Sequence, residues 1–302
     1  MSVNPIFCFK EILFFSKVIS SKYPSRRTRI MYECKFVCRS LFYYKSFLMM
    51  FENIDKSILV KFSSNGFLID KPYKPYITNG YSSLERAVFL VEHYNFIDNH
   101  FHKKLSDSIY FSDGFDLASF EIEDVVYGIK LAPSYYGKEG ELVLTLFNDE
   151  DSRFYSLTFS LREISSQREL VIGGLQGPKS NQVNNDKVKK LTKSLHGLRP
   201  KDLMIKLVTI LGTYWGVTRI LAIKNDRHSY QSIRYSKGRV KTDLNQHWLE
   251  LGGKDFDDYF YSLPIVYEQR DISLISRPKR AMYRRRYEWL NMVEQEIKTR
   301  FF

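Results

Sequence analysis

Cysteine is scarce in this sequence. Its three residues, Cys8, Cys34 and Cys38, are an odd number that cannot all pair within one chain. That argues against a secreted fold stapled by disulfides. Cys34 and Cys38 stand one helical turn apart, a spacing that suits a metal, but no second Cys/His pair completes a zinc-like site, which leaves packing as the ordinary role. A long uncharged apolar run is lacking too. Residues 6–19 come nearest, and Lys10, Glu11 and Lys17 interrupt them. A membrane span needs about 20 nearly uncharged residues, and a signal peptide needs an unbroken apolar segment with a small-residue cleavage site. The stretch reads instead as a short helix, with Phe7, Phe14 and Val18 at helical spacing, lying against a core or a membrane surface. Internal repeats and low-complexity segments are missing.

Acid is in short supply: 34 Asp and Glu face 46 Lys and Arg, for a formal charge of +12 and an isoelectric point near 9.4. Such an excess speaks to partners rather than to fold, with lipid head groups, nucleic acid and phosphorylated cofactors as the anionic classes that match. What is abundant is aromatic carbon. A hydrophobic share of 44% and an aromatic share of 16% exclude a disordered chain and supply a real core for one large domain or two smaller ones. The positive charge is clustered. Residues 20–50 carry Lys22, Arg26, Arg27, Arg29, Lys35, Arg39 and Lys45 against the single acid Glu33, with Phe36, Leu41, Phe42, Tyr43 and Tyr44 interleaved. That pattern serves either phosphate binding over packed aromatics or a solvated helix face.

Periodicity divides the chain into a helical, basic-aromatic region at 1–115 and a mixed-sheet region at 116–302 that ends in a basic helix. A helix begins near Ser82 or Ser83, which can cap it, with Leu84, Ala87, Val88 and Val91 as its apolar stripe. His93 on this helix, and His100 and His102 after it, read as scattered polar positions. From about residue 120 the period changes to two, and strands are predicted at 122–131, 141–148, 153–161 and 169–175, the first three in an antiparallel meander. A long polar loop and two helices follow, Gly197 stopping the first and Pro200 opening the second. The strand at 219–224 then completes a crossover that places it parallel to, and near, the strand at 169–175. A hairpin around Lys237-Gly238, a helix capped by Asp243 and a strand at 259–267 precede the tail. The fold class is therefore α/β (α+β), with a mixed, mostly antiparallel sheet and a helical N-terminal region.

Few residues carry obvious chemistry. His196 and His228 are the acid/base candidates, because imidazole titrates near neutral pH and both stand at element ends. Asn225, directly after a strand, can orient a carbonyl or thiol, or begin a turn. Gly173, Gly174 and Gly177, with Gln176 among them, would let backbone approach a phosphate, as would a tight structural turn. Arg199, beside Lys201, and the tail cluster Lys279, Arg280, Arg284, Arg285 and Arg286 offer guanidinium and ammonium groups to an anionic surface. The tail cluster equally suits the exposed face of a helix.

Several runs carry a family resemblance: residues 172–177 (IGGLQG), 195–201 (LHGLRPK), 225–230 (NDRHSY), 248–253 (WLELGG) and 279–287 (KRAMYRRRY). Together they resemble the bacterial VirK/YbjX family over roughly residues 30–295. The resemblance implies a cytoplasmic Gram-negative protein linked to virulence, outer-membrane remodelling and resistance to cationic peptides. The location expected is the cytoplasm, with a peripheral place at the inner membrane as the alternative. It implies no established reaction. The strand order is also similar to that of GNAT acyltransferases, which implies an acyl-CoA, or acyl carrier protein, at a gap between splayed fourth and fifth strands. The chain departs from that family's Gln/Arg-x-x-Gly-x-Gly/Ala pattern, since Gln176 is followed by Gly177-Pro178-Lys179. Three functions are weighed on these grounds: an acyltransferase-like enzyme, a non-enzymatic factor that binds anionic lipid or an envelope-biogenesis protein partner, and a nucleic-acid-binding protein. The last is weakest, because the helices flanking Gly197 are needed for the crossover.

Overall fold

The computed structural model describes residues 5–66, 68–150, 153–235, 243–266 and 269–301. Its centre is an eight-stranded sheet of order β1-β2-β3-β4-β5-β6-β8-β7. The first five strands, β1 (Phe115–Ile122), β2 (Val125–Pro133), β3 (Leu142–Asn148), β4 (Tyr155–Ile164) and β5 (Gln167–Gln176), form an antiparallel meander. β1 was not foreseen, and the strand read at 122–131 runs across a hairpin turn. Glu123 and Asp124 make that turn with φ of +50° and +64°, and Ser165 and Ser166 turn β4 into β5 in the same way. Paired left-handed residues suit a two-residue hairpin, but Asn and Gly are its usual signals, so acids and serines hide it.

The crossover forms as the sequence requires. α7 (Gln182–Ser194) and α8 (Pro200–Tyr214) carry the chain from β5 to β6 (Arg219–Ile223), which pairs parallel to β5 from Glu169↔Arg219 to Ile172↔Ala222. The loop before α7 is shorter than expected, because Asn181 caps the helix by accepting from the Asn184 N–H. Gly197 ends α7 with φ of +75°, its N–H bonded to the Thr192 carbonyl, and Pro200 stands in the first turn of α8. α9 (Leu244–Glu250), capped by Asp243, leads to the short β7 (Lys254–Asp255) and to β8 (Phe260–Leu263), antiparallel to β6. The hairpin expected at Lys237-Gly238 and the far end of the 259–267 strand lie outside the described residues.

Consecutive residues of β3 and β4 are buried, so both faces of the sheet are covered there. α5 (Ser83–His100) and α8 both pack on β4, and α10 (Arg277–Phe301) packs on β1. α5 starts with a full capping box between Ser82 and Glu85, two helix-end donors satisfied at once. His93 is not a surface position: it is fully buried between the Leu161 backbone and the Tyr110 hydroxyl. α1 (Pro5–Ser20), α2 (Arg26–Phe42), α3 (Tyr44–Asn53), α4 (Lys56–Gly66) and α6 (Lys103–Phe111) complete the helical part. One cluster of buried apolar residues runs from Cys8 to Ile297 through both parts of the chain. No helix among the described residues is long and apolar enough to cross a membrane.

Candidate functional site

The β2–β3 connection delivers two carboxylates, Glu139 and Glu141, on either side of Gly140. Both are almost fully buried. Buried carboxylates need partners, since an unpaired charge in an apolar interior is disfavoured by several kcal/mol. Each finds a different set.

Glu139 occupies the place where β5 runs on past its pairing with β6. A Cβ on Gly173 would overlap the Glu139 carbonyl oxygen, and one on Gly174 its carboxylate. The close approach that these glycines permit is thus taken by Glu139. The Gln176 amide donates to both carboxylate oxygens, at 3.0 and 3.1 Å. His228 Nε2 stands 3.5 Å from Glu139 Oε1. The Tyr230 N–H donates to His228 Nδ1 at 3.2 Å, so that nitrogen carries a lone pair and the neutral ring holds its proton on Nε2, facing Glu139 and the Gly173 backbone. Burial pushes the His228 imidazole down to about 4, against the raising effect of its bond to Gly173. Burial pushes the Glu139 carboxyl up to about 7, against the lowering effects of Gln176 and Lys138.

Glu141 is arranged the other way. Burial alone would raise its carboxyl, but the Lys71 charge and the hydrogen bonds from Lys71 and Tyr94, joined by His93 only at acid pH where its ring is protonated, outweigh burial and hold it below the ordinary value. Lys71 forms a very short ion pair with it, and the Tyr94 hydroxyl donates to it at 2.7 Å. Its own N–H donates to Ser160 Oγ, which in turn lies 3.3 Å from the Tyr76 hydroxyl.

Above these carboxylates opens a cleft of about 610 Å³. Its walls are Phe62, Pro75 and Pro133, the rings of Tyr76, Tyr94, Tyr135 and Tyr230, and three lysines, Lys71, Lys74 and Lys138, against the single acid Glu141. Lys74 pairs with Asp70, and Lys138 lies over the rings of Tyr235 and Tyr230, at 3.7 and 4.9 Å. Tyr230 also stacks on the His228 ring, so this wall of the cleft separates the Glu139–His228 pair from the opening.

Of the residues singled out from sequence, Gly173, Gly174, Gln176 and His228 therefore converge, on a carboxylate that sequence reasoning missed. The others lie apart. Gly177 follows β5 and fits against the Tyr155 ring. Asn225 accepts from the Leu244 N–H while its own N–H donates to Asn245 Oδ1, a reciprocal clasp that fixes the start of α9. His196 closes α7 with φ of +52°, and its carbonyl accepts twice from Arg286. No hydrogen bond, ion pair or ring contact joins it to His228 among the described residues. Arg199 pairs with Asp202 and Glu250 and, with Arg286, lines a second cleft of about 600 Å³ between α8, α9 and α10. There burial, together with Arg286 and Arg270 and against the raising pull of Asp202, depresses Lys206 to about 7. In the tail, Arg280 is tied to the Ile275 and Ser273 carbonyls, whereas Lys279, Arg284 and Arg285 are exposed. The signal that could have exposed the missed carboxylates is local: an acid on each side of a glycine, directly before a strand, LVLTLFN, that is apolar apart from Thr145 and its last residue, Asn148.

The model of a protein family of unknown function, DUF535, matches residues 25–299. The chain is 34% identical over 166 residues to the uncharacterized protein YbjX of Escherichia coli K12, covering 54% of this chain and 50% of that one. Two uncharacterized proteins of Haemophilus influenzae match at 32% over 163 residues (54% and 53% of the two chains) and 28% over 159 residues (53% and 52%). The chain thus spans about half the length of the curated relatives it matches. The likeness to the VirK/YbjX family read from the motif runs agrees with these matches.

Proposed function

The chain belongs to the DUF535 family, and from that premise we propose that it binds an anionic amphiphile, a molecule with an acyl or other apolar body and an acidic head, in the cleft above Glu141. The observation that carries this reading is the lining: three lysines, Lys71 and Lys74 held by Glu141 and Asp70, and Lys138 lying over tyrosine rings, set in walls of aromatic rings and proline. Apolar walls hold the body of a ligand, and a few placed charges fix its head. The anionic-lipid partner expected from the charge, a peripheral place at the inner membrane and the envelope role implied by the family resemblance all fit a ligand of this kind and are proposed with it.

Acyl transfer is the second reading, and the parallel β5–β6 pair that parts after Ile172 and Ala222 supports it. Against it stand Glu139, which fills that parting, and His228, whose ring nitrogens are both engaged. The binding reading is therefore preferred. Nucleic-acid binding has less support, because α8 turns most of its length into the core.

Titration with a fluorescent fatty acid tests the binding reading. Gly137 has room for a side chain, meeting only Lys71 at 3.6 Å, so Gly137→Phe is expected to fill the cleft and abolish binding. Lys138→Ser is expected to weaken a fatty acid by roughly tenfold, in line with loss of a charge-assisted contact, and to leave the matching fatty alcohol unchanged. Binding that is absent in the native protein, or unaffected by Gly137→Phe, sinks the reading.

A further inference from the structure

α2 is amphipathic in the unusual sense. Phe36 and Ser40 face inward, and the opposite face carries Ile30, Met31, Cys34, Cys38 and Leu41 at helical spacing, all exposed, with Phe42 at its end. Phe42 is 80% exposed and Met31 54%. Contiguous exposed apolar surface on a helix marks a docking face, because water contact at such residues is unfavourable unless something covers them.

The charges around the stripe say what the cover is. Arg26, Arg27, Arg29 and Lys35 are exposed on the same helix, and Lys45 follows on α3. The one acid of α2, Glu33, is turned toward α1, where Ser20 Oγ donates to it at 2.7 Å. Apolar side chains bordered by cations, with no free acid, complement a surface that is anionic at its plane and apolar just beneath. A protein partner of ordinary composition would present acids and bases together. We propose that α2 is an interfacial helix that lies in the plane of an anionic lipid bilayer, with Ile30, Met31, Leu41 and Phe42 among the acyl chains and the arginines and lysines at the phosphates.

The geometry links this face to the cleft, although the inference stands whether or not the cleft takes a ligand. Arg39 of α2 pairs with Asp70, which also holds Lys74 of the cleft wall, and Tyr43 stacks on Tyr73 beside it. A lipid-bound α2 therefore sets the cleft close to the membrane plane.

The two exposed cysteines supply a direct readout, since Cys34 and Cys38 lie in the stripe while Cys8 is buried. The full chain, labelled at Cys34 and Cys38 with a polarity-sensitive dye, is mixed with phosphatidylglycerol–phosphatidylcholine vesicles and, separately, with phosphatidylcholine vesicles. Flotation and a blue shift with the anionic vesicles, both reduced by high salt, are expected. Ile30→Ser with Phe42→Ser, and Arg26→Ser with Arg27→Ser, alter exposed positions only and are expected to weaken binding roughly tenfold or more each. Gly137→Phe, which blocks the cleft, is expected to leave flotation intact. A native chain that does not float with anionic vesicles, a dye that does not shift on the floated protein, or double variants that bind as the native chain does each overturn the proposal. So does sedimentation that shows a dimer lost in Ile30→Ser with Phe42→Ser, because the face then belongs to a second copy.

Discussion

Glu139 and His228 are neighbours whose titrations act on stability in opposite directions. The Glu139 carboxyl is raised to about 7 in the fold, above its ordinary 4.5, so the folded state holds its proton more tightly. Its contribution is complete below pH 4.5 and is lost as pH rises through 7. The His228 imidazole is lowered from 6.5 to about 4, so its contribution is complete above pH 6.5 and is lost as pH falls through 4. Within the overlap each group changes stability by up to about 1.4 kcal/mol per pH unit. Glu139→Gln is therefore expected to steepen the rise of unfolding free energy between pH 5 and 7, and His228→Gln to flatten it. Urea titrations across that range check both signs.

At the scale of elements, several residues that look chemical prove to be fasteners. Asn225, which by sequence suits orienting a carbonyl or thiol or beginning a turn, clasps the start of α9. Asn225→Ala is expected to lower stability by about 1–3 kcal/mol, since it leaves the Leu244 N–H without its acceptor. Reduced hydrogen-exchange protection confined to 243–251 would show that the loss is local. Arg286 likewise anchors α10 to the end of α7 through the His196 carbonyl, which is why only part of the tail cluster is left to meet a partner. Gly197 allows that join: its left-handed φ of +75° ends α7, and the tips of Arg286 and Met282 rest against it where a Cβ would push them aside.

For the whole molecule, three histidines, His93, His228 and His247, are buried and pushed down to about 4. All three are neutral in the fold and charge on unfolding, so the unfolded state binds more protons between pH 6.5 and 4. Glu139 opposes them in part of that window. The balance predicts a fall in stability on the order of 3–5 kcal/mol from pH 6.5 to 4.5. Because one apolar cluster spans the chain, that loss is expected as a single cooperative transition, with circular dichroism and tryptophan fluorescence moving together.

What the sequence determined by itself is everything written in short-range pattern. The antiparallel run through β3 and β4, the parallel β5–β6 pair across a helical crossover and the Ser82, Asp243 and Gly197 boundaries follow from periods of two or 3.6 and from cap residues, and the family likeness follows from short motif runs. Hairpin turns made of Glu123-Asp124 and Ser165-Ser166 escaped, because neither pair contains the glycine or asparagine that marks a two-residue hairpin most strongly, and Asp124 alone is a weak signal. Only the tertiary structure decided which polar groups meet. Glu139 and Glu141 are separated by one glycine, yet one faces Gln176 and His228 and the other Lys71 and Tyr94, partners drawn from residues 71 to 228. Burial and partner charge set what a carboxylate or imidazole can do, and both arise from long-range packing that no local pattern encodes.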